Sequence, residues 1–295
     1  MRQLIKATLG TVALVAAVFA SPALAADGDN DPIPPFRIAD DLYYVGASDI
    51  ASYLVVTRAG LIVIDGGYEK TAPQILRNIR TLGFAVEEVK VLLSTHAHLD
   101  HAGGLAMLKR ETGAKLFATA PDAELMARGG KGDFGLKDSA PYPPVQVDTI
   151  IKDSQVVTMG GKQLVAHLTP GHTRGCTTWT FPIIDTRGSK RSLQQVMILC
   201  SNSVLPMYHL AGPQESYPGI AADYEKSYAF WKAAPCDIFL GSHGKFFNMQ
   251  QKRAKLAVDS NPFVDPAGCK SYFEKGYAAF QAQLDKEKAA AAAKP

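Results

Sequence analysis

The chain has 295 residues, 47% hydrophobic and 20% charged, the composition of an ordinary globular protein with ample material for a core. Its 31 basic residues against 28 acidic ones leave a net charge of +3, with no long basic patch and no aromatics interleaved with Lys and Arg. A nucleic acid or other polyanion is thereby excluded as a partner.

In chain order, Arg2 and Lys6 make a basic start, an apolar run follows from Leu9 to Ala20, and SPALAA offers an Ala-x-Ala cleavage site. The run is shorter than the roughly 20 residues that span a bilayer. Residues 1–25 therefore read as a secretory signal peptide cleaved after Ala25, leaving a periplasmic domain over 26–295 without membrane contact. Next, DGDNDPIPPF is polar and proline-rich and reads as a mobile lead-in. DLYYVG, ASYLVVT and LIVIDGG follow as a strand meander, with branched and aromatic residues inside each run and Gly or Asp at the ends. YEKTAPQILRNIRTLGF places Ile75, Ile79 and Leu82 at helical spacing before Gly83.

The strand VKVLLST then leads into THAHLDH, and HAGGLAMLKRETGA continues as a helix closed by Gly113. KLFATA, QVVTMGG, KQLVAHLTPGHT, CTTWTFPII and SLQQVMILCSNSV read as strands, Asp223–Ala234 and Met249–Val258 as helices, and CDIFLGSHG as a late strand. Two long irregular stretches, 128–148 and 205–219, have the length of lids or binding loops. The end, LDKEKAAAAAKP, favours helix but has little to anchor it. Strand runs with intervening helices imply sheets covered by helices in one layered α/β domain.

The chemistry concentrates at His96–His101, where three of the seven histidines and one Asp fall within six positions. In an extended chain His96 and His98 point the same way and converge on one point. Asp100 and His101, past the turn, aim at a neighbouring point. Imidazole and carboxylate suit zinc, and a catalytic zinc takes three protein ligands with one position open. Each pair is one ligand short, and His172 and His243, both at strand ends in glycine-flanked turns, complete the sets His96, His98, His172 and Asp100, His101, His243. His167 reads as a sheet residue and His209 as a loop residue. The four cysteines lack any Cys-x-x-Cys, which argues against a zinc ribbon or redox motif and leaves cross-links or buried thiols.

THAHLDH, PGHT and GSH in this order resemble the metal motifs of the metallo-beta-lactamase superfamily, over nearly the whole chain past the signal. The resemblance implies an αβ/βα four-layer sandwich with two Zn(2+) per subunit at one edge of the sheets. Lactonases, glyoxalase II and many phosphodiesterases of that superfamily carry a bridging Asp on the strand that here reads MILCSNSVLPMYHL, which has none. With ARGG, YPPV, GCTTWT and NPF, the chain is similar to the B3 subclass of beta-lactamases. That implies hydrolysis of the beta-lactam amide of penicillins, cephalosporins and carbapenems by a hydroxide at the dinuclear site, and antibiotic resistance as the outcome. It makes Asp100 and Tyr208 catalytic candidates, the second for the oxyanion, and Asn202, Ser203, Phe134 and Tyr142 candidates for substrate contact. The subclass carries serines near the substrate carboxylate, whereas Asn202, Ser203 and Val204 stand here.

The resemblance also pairs Cys236 with Cys269, a loop worth about 3 to 4 kcal/mol in the chain-entropy model. Cys176 and Cys200, on apolar strands, are expected as buried free thiols, and the molecule as a monomer acting on a small-molecule beta-lactam. The competing readings are a hydrolase of lactones, thioesters or phosphodiesters, and a non-catalytic periplasmic zinc-binding protein.

Overall fold

A computed structural model describes residues 28–187, 191–257 and 261–293. The expected signal peptide lies outside them. Two sheets divide the described chain. The first takes seven strands in chain order, β1 (Phe36–Ala39), β2 (Leu42–Tyr44), β3 (Tyr53–Thr57), β4 (Gly60–Ile64), β5 (Val89–Leu93), β6 (Lys115–Thr119) and β7 (Thr149–Ile151). The meander β1–β4 is antiparallel, and β4 to β7 pair in parallel. The second sheet has the order β12-β11-β10-β9-β8, from β8 (Val156–Met159), β9 (Lys162–Leu168), β10 (Thr177–Asp185), β11 (Ser192–Leu199) and β12 (Ile238–Gly241).

Strand side chains alternate between faces, and the core follows that alternation. Tyr53, Val55, Ile62, Ile64, Val91 and Leu93 pack in one cluster with Leu164, Ala166, Trp179 and Phe181 of the second sheet. Leu54, Leu61, Val63 and Leu92 face the other way, onto Ile75 and Ile79 of α1 (Ala72–Thr81) and Leu105 and Leu108 of α3 (Leu105–Thr112). The sheets also share hydrogen bonds: Tyr53 OH donates to the Gly241 carbonyl at 2.6 Å, and the Trp179 indole to the Ser94 carbonyl at 3.1 Å. The far face of the second sheet is covered by α5 (Ile220–Ala233) and α7 (Pro266–Ala292), whose Trp231 and Phe273 rings stack at 5.5 Å. The result is the four-layer helix, sheet, sheet, helix sandwich expected from the motifs.

Several local expectations are corrected or refined. The lead-in is docked: Asp31 and Ser48 exchange hydrogen bonds, Pro32 bridges to Ala47, and the Ile33 carbonyl accepts from Gln74 and Asn78 of α1. The helix after the motif is two, α2 (Leu99–Ala102) and α3, because the Gly104 N–H turns to the Gly67 carbonyl, and a Cβ at Gly104 would lie 2.2 Å from the Gly66 carbonyl oxygen. KLFATA is followed by a helix, α4 (Ala120–Ala127), with Pro121 in its first turn. The alanine-rich end belongs to α7, started by Asp265 accepting from the Gly268 N–H at 2.8 Å. Met249–Val258 is helical over Met249–Ala254, α6, with Val258 outside the described residues.

Cys236 and Cys269 form a disulfide with Cα atoms 6.5 Å apart, tying the approach to β12 onto α7. Cys176 and Cys200 are also joined, Cα to Cα 5.7 Å, and are not free thiols. Both are buried where β10 begins and β11 ends. Apolar burial, the reason for expecting thiols, is equally the environment of a bridge between neighbouring strands.

Candidate metal centre

β5 ends at Leu93, and five residues on His98, itself extended, precedes the first turn of α2. This delivers His96 and His98 from the strand end and Asp100 and His101 from the helix. The turn is braced from β4: Asp65, buried and in the left-handed region at φ 64°, accepts from Thr95 N–H at 2.7 Å and Thr95 Oγ1 at 2.6 Å. Such a conformation is costly for a non-glycine residue and persists only where the surroundings dictate it. His172 arrives in the turn between β9 and β10, and His243 just past β12.

The ligand atoms of His96, His98 and His172 lie within 4.8 Å of one another, and so do those of Asp100, His101 and His243. The two groups adjoin, with the His96 and His101 rings 4.3 Å apart. A neutral imidazole donates from one nitrogen and offers a lone pair at the other. Here the partner of the first nitrogen aims the second. His172 Nδ1 donates to the Ser203 carbonyl at 2.8 Å, and His243 Nδ1 to Asp49 Oδ2 at 2.9 Å. His96 Nδ1 lies 3.1 Å from Thr95 Oγ1, whose own proton goes to Asp65. His98 Nε2 faces Asp133 Oδ2 at 3.7 Å, and His101 Nδ1 faces Asp65 Oδ2 at 3.9 Å, so both rings present their opposite nitrogen to the cluster.

His98 Nε2 and both nitrogens of His101 are buried without a hydrogen bond, and of these it is His101 Nε2 that faces the cluster, 3.1 Å from Asp100 Oδ2. Buried polar atoms are nearly always satisfied, and a convergent set of five imidazoles and one carboxylate with unused donor atoms fits a pair of borderline divalent cations. The protonation balance differs between the groups. Burial, reinforced by neighbouring imidazoles, holds His96 well below the ordinary histidine value, and burial with His98 nearby takes His172 down to about 3. Burial would also lower His243, but hydrogen bonds to Asp100 and Asp49 outweigh it and raise it to about 9. Asp100 is kept ionised against burial by His101 and His243.

The centre opens into a cleft of about 480 Å3 that reaches His98, Asp100, His172 and His243. Its walls are Ile50, Tyr68 and Phe246 on one side, Leu136, Ser139 and Ala140 from the first long loop, and Leu205, Pro206 and Met207 from the second. Ser201, Ser203 and Lys245 supply polar groups, and among the described residues Lys245 is the one Lys or Arg in the lining.

Several expected contacts fall elsewhere. Asn202 points away from the cleft, where its Oδ1 accepts from Tyr272 OH of α7 at 2.7 Å; the alternation that puts Ser201 and Ser203 inward puts Asn202 outward. The Tyr208 hydroxyl is committed to the His172 carbonyl at 2.8 Å and its ring is buried, so it holds a candidate ligand and is not poised over the cleft. Phe134 packs against Tyr208 and Tyr217, and Tyr142 is buried with its OH on the Ala97 carbonyl at 2.6 Å, so neither covers the cleft. Ser203 does line it. His167 hydrogen-bonds Thr180 at 2.8 Å and stacks on Phe230, and His209 lies outside both groups. Sequence reasoning missed Ser201, Asp49, Asp65, Asp133 and Lys245. Only Ser201 carried a local signal, the period of two past β11.

Comparison with known proteins agrees with this fold. Residues 45–183 match the model of the metallo-beta-lactamase superfamily. The chain is similar to the solved FEZ-1 metallo-beta-lactamase from Legionella gormanii, with 43% identity, 88% of this chain and 98% of that one covered, and a TM-score of 0.84. It is similar to BJP-1, a subclass B3 metallo-beta-lactamase of Bradyrhizobium japonicum, with 37% identity, coverage of 90% and 98%, and a TM-score of 0.81. A curated relative, Glyoxylase B2 of Dictyostelium discoideum, is 29% identical over 92 residues, 31% of this chain and 32% of its own length. The chain thus spans about a third of the length of the curated relatives it matches.

Proposed function

The chain belongs to the metallo-beta-lactamase superfamily, and from that premise we propose that it hydrolyses the beta-lactam amide bond of penicillins, cephalosporins and carbapenems in the manner of subclass B3, with two zinc ions held by His96, His98, His172 and by Asp100, His101, His243. The observation that carries the reading is the convergence of these six donors, with His101 Nε2 buried in their midst without a hydrogen bond and four of the six bordering an apolar-walled cleft.

Divalent ions held there would supply Lewis-acid polarisation of the amide carbonyl and lower the pKa of bound water toward about 7. The protein's own groups do the rest. Asp100 borders the cleft as a carboxylate, placed to orient the attacking water, which gives up a proton as its oxygen attacks. As the carbonyl carbon gains the water oxygen and the ring C–N bond breaks, the ring nitrogen leaves and needs that proton. Ser201, Ser203 and the Lys245 ammonium offer hydrogen bonds and positive charge for the carboxylate next to the ring nitrogen. Leu136, Leu205 and Met207 give the apolar surface that displaces water around the lactam.

Export by residues 1–25, a periplasmic location, a monomeric state and a role in resistance belong to the same proposal. No helix among the described residues is long and apolar enough to cross a membrane. The test is residues 26–295 at micromolar concentration with a chromogenic cephalosporin. Ring opening that chelator abolishes and zinc restores is expected. No opening, with activity instead on a lactone, thioester or phosphodiester panel, would overturn it.

A further inference from the structure

The loop between β11 and α5 supplies one cleft wall through Leu205, Pro206 and Met207. A stretch of this length without strand or helix must place its backbone N–H groups on partners elsewhere. Its neck closes on itself, His209 N–H donating to Ser216 Oγ at 2.8 Å and Ser216 N–H to the His209 carbonyl at 2.9 Å. Just inside the neck, the consecutive N–H groups of Leu210 and Ala211 both donate to Oε2 of Glu287, at 2.5 and 3.1 Å. Neither N–H has another acceptor among the described residues. The other oxygen of Glu287 accepts from Gln283 one turn earlier in α7 at 3.0 Å, which orients the carboxylate. Hydrogen bonds to an ionised acceptor are roughly twice as strong as neutral ones. The cleft wall itself is the turn Leu205–Tyr208, closed by Tyr208 N–H on the Leu205 carbonyl at 2.8 Å. Both anchors lie at the C-terminal end of that turn, Tyr208 OH on the His172 carbonyl and, two residues further on, the segment that Glu287 grips.

We propose that Glu287 is a positioning residue for the cleft: from the C-terminal helix it clamps the Leu210–Ala211 backbone and thereby fixes the Leu205–Met207 wall against which the substrate lies. The clamp touches no reacting atom, and its effect on turnover rests on the reading of this cleft as the substrate site. The alanine-rich end of α7 is on this view the arm that carries the clamp, with Ala291 lying against Gly212 of the same loop.

The test compares Glu287→Ala with Glu287→Gln, which keeps an acceptor oxygen, in the zinc-loaded full domain. In the alanine variant the Leu210 and Ala211 amides should exchange hydrogen about 100-fold faster, with Ile198 and Leu240 in β11 and β12 unchanged. KM for the chromogenic cephalosporin should rise about 3- to 10-fold with kcat within about twofold, since loss of a preformed wall weakens ground and transition states alike. Zinc content should stay the same, and glutamine should restore both readouts most of the way. Retained amide protection in Glu287→Ala overturns the clamp. Released amides with an unchanged KM overturn its role in the cleft, as does a lower Tm alone. Exchange needs no turnover, so inactivity of the parent protein toward beta-lactams would overturn the proposed function while exchange still decides the clamp.

Discussion

His96, His98 and His172 are three buried imidazoles, held through Thr95, the Ser203 backbone and the distant Asp133, and burial keeps His96 and His172 neutral. Asp100, His101 and His243 stand beside them but are built from charge: one member is a carboxylate, and Asp65 and Asp49 face the outer nitrogens of the two histidines. The first group's donors are all uncharged, with one carboxylate, Asp133, facing the outer nitrogen of His98. The second group draws on three carboxylates for attraction and shares them with histidine protons and Lys245. Neighbouring centres of similar ligand count thus reach a cation by different means, dry preorganisation in one and compensated charge in the other.

The hardest strain on that contrast comes from the ligands themselves. His172→Ala should remove one bound zinc per chain by elemental analysis and cut kcat/KM by more than about 100-fold, beyond what loss of an outer partner costs. His243→Ala should empty the second group while leaving the first filled, so equal loss at both would break the distinction. Next, Asp49→Ala takes the orienting carboxylate from His243 and should weaken the second zinc about 10- to 100-fold in chelator competition, with the first unaffected.

The disulfides sharpen the contrast through stability. Cys176→Ser with Cys200→Ser should cost about 3 kcal/mol in denaturant unfolding. It should also loosen zinc at the first group, because the bridge joins the His172 turn to the strand end whose Ser203 carbonyl holds that ring. Cys236→Ser with Cys269→Ser should cost a similar amount with zinc affinity unchanged. Smallest of all, His167→Ala should lose about 1 kcal/mol with its Thr180 hydrogen bond and leave zinc binding as it was.

The site was legible where the signal was local. His96, His98, Asp100 and His101 announce themselves by strand period and turn, and strand ends with glycines mark His172 and His243. The residues that aim them were not, because Asp49 lies 194 positions from His243 and Asp65 lies 30 from Thr95. The Asp65–Thr95 contact exists only once β4 and β5 have paired, and the Asp49–His243 contact only once the two sheets have packed. The cleft contacts failed for a related reason. Tyr208, Phe134 and Tyr142 sit on loops of the expected kind, but an aromatic ring on a loop gains more by burying against its neighbours than by facing water, and Asn202 found a partner on α7. β1 and β7 are four and three residues long, too short to show a period.

The first sheet is complete at Ile151 and the second begins at Val156, so the two layers are successive lengths of the chain. Each donor triplet takes two members from the first length and one from the second. His172 enters ahead of β10, and His243 only after β12 is in place beside β11. A growing or truncated chain that stops short of β12 therefore owns one complete triplet and one pair. The second triplet closes only when β12 has docked beside β11, so its completion depends on the assembly of both layers.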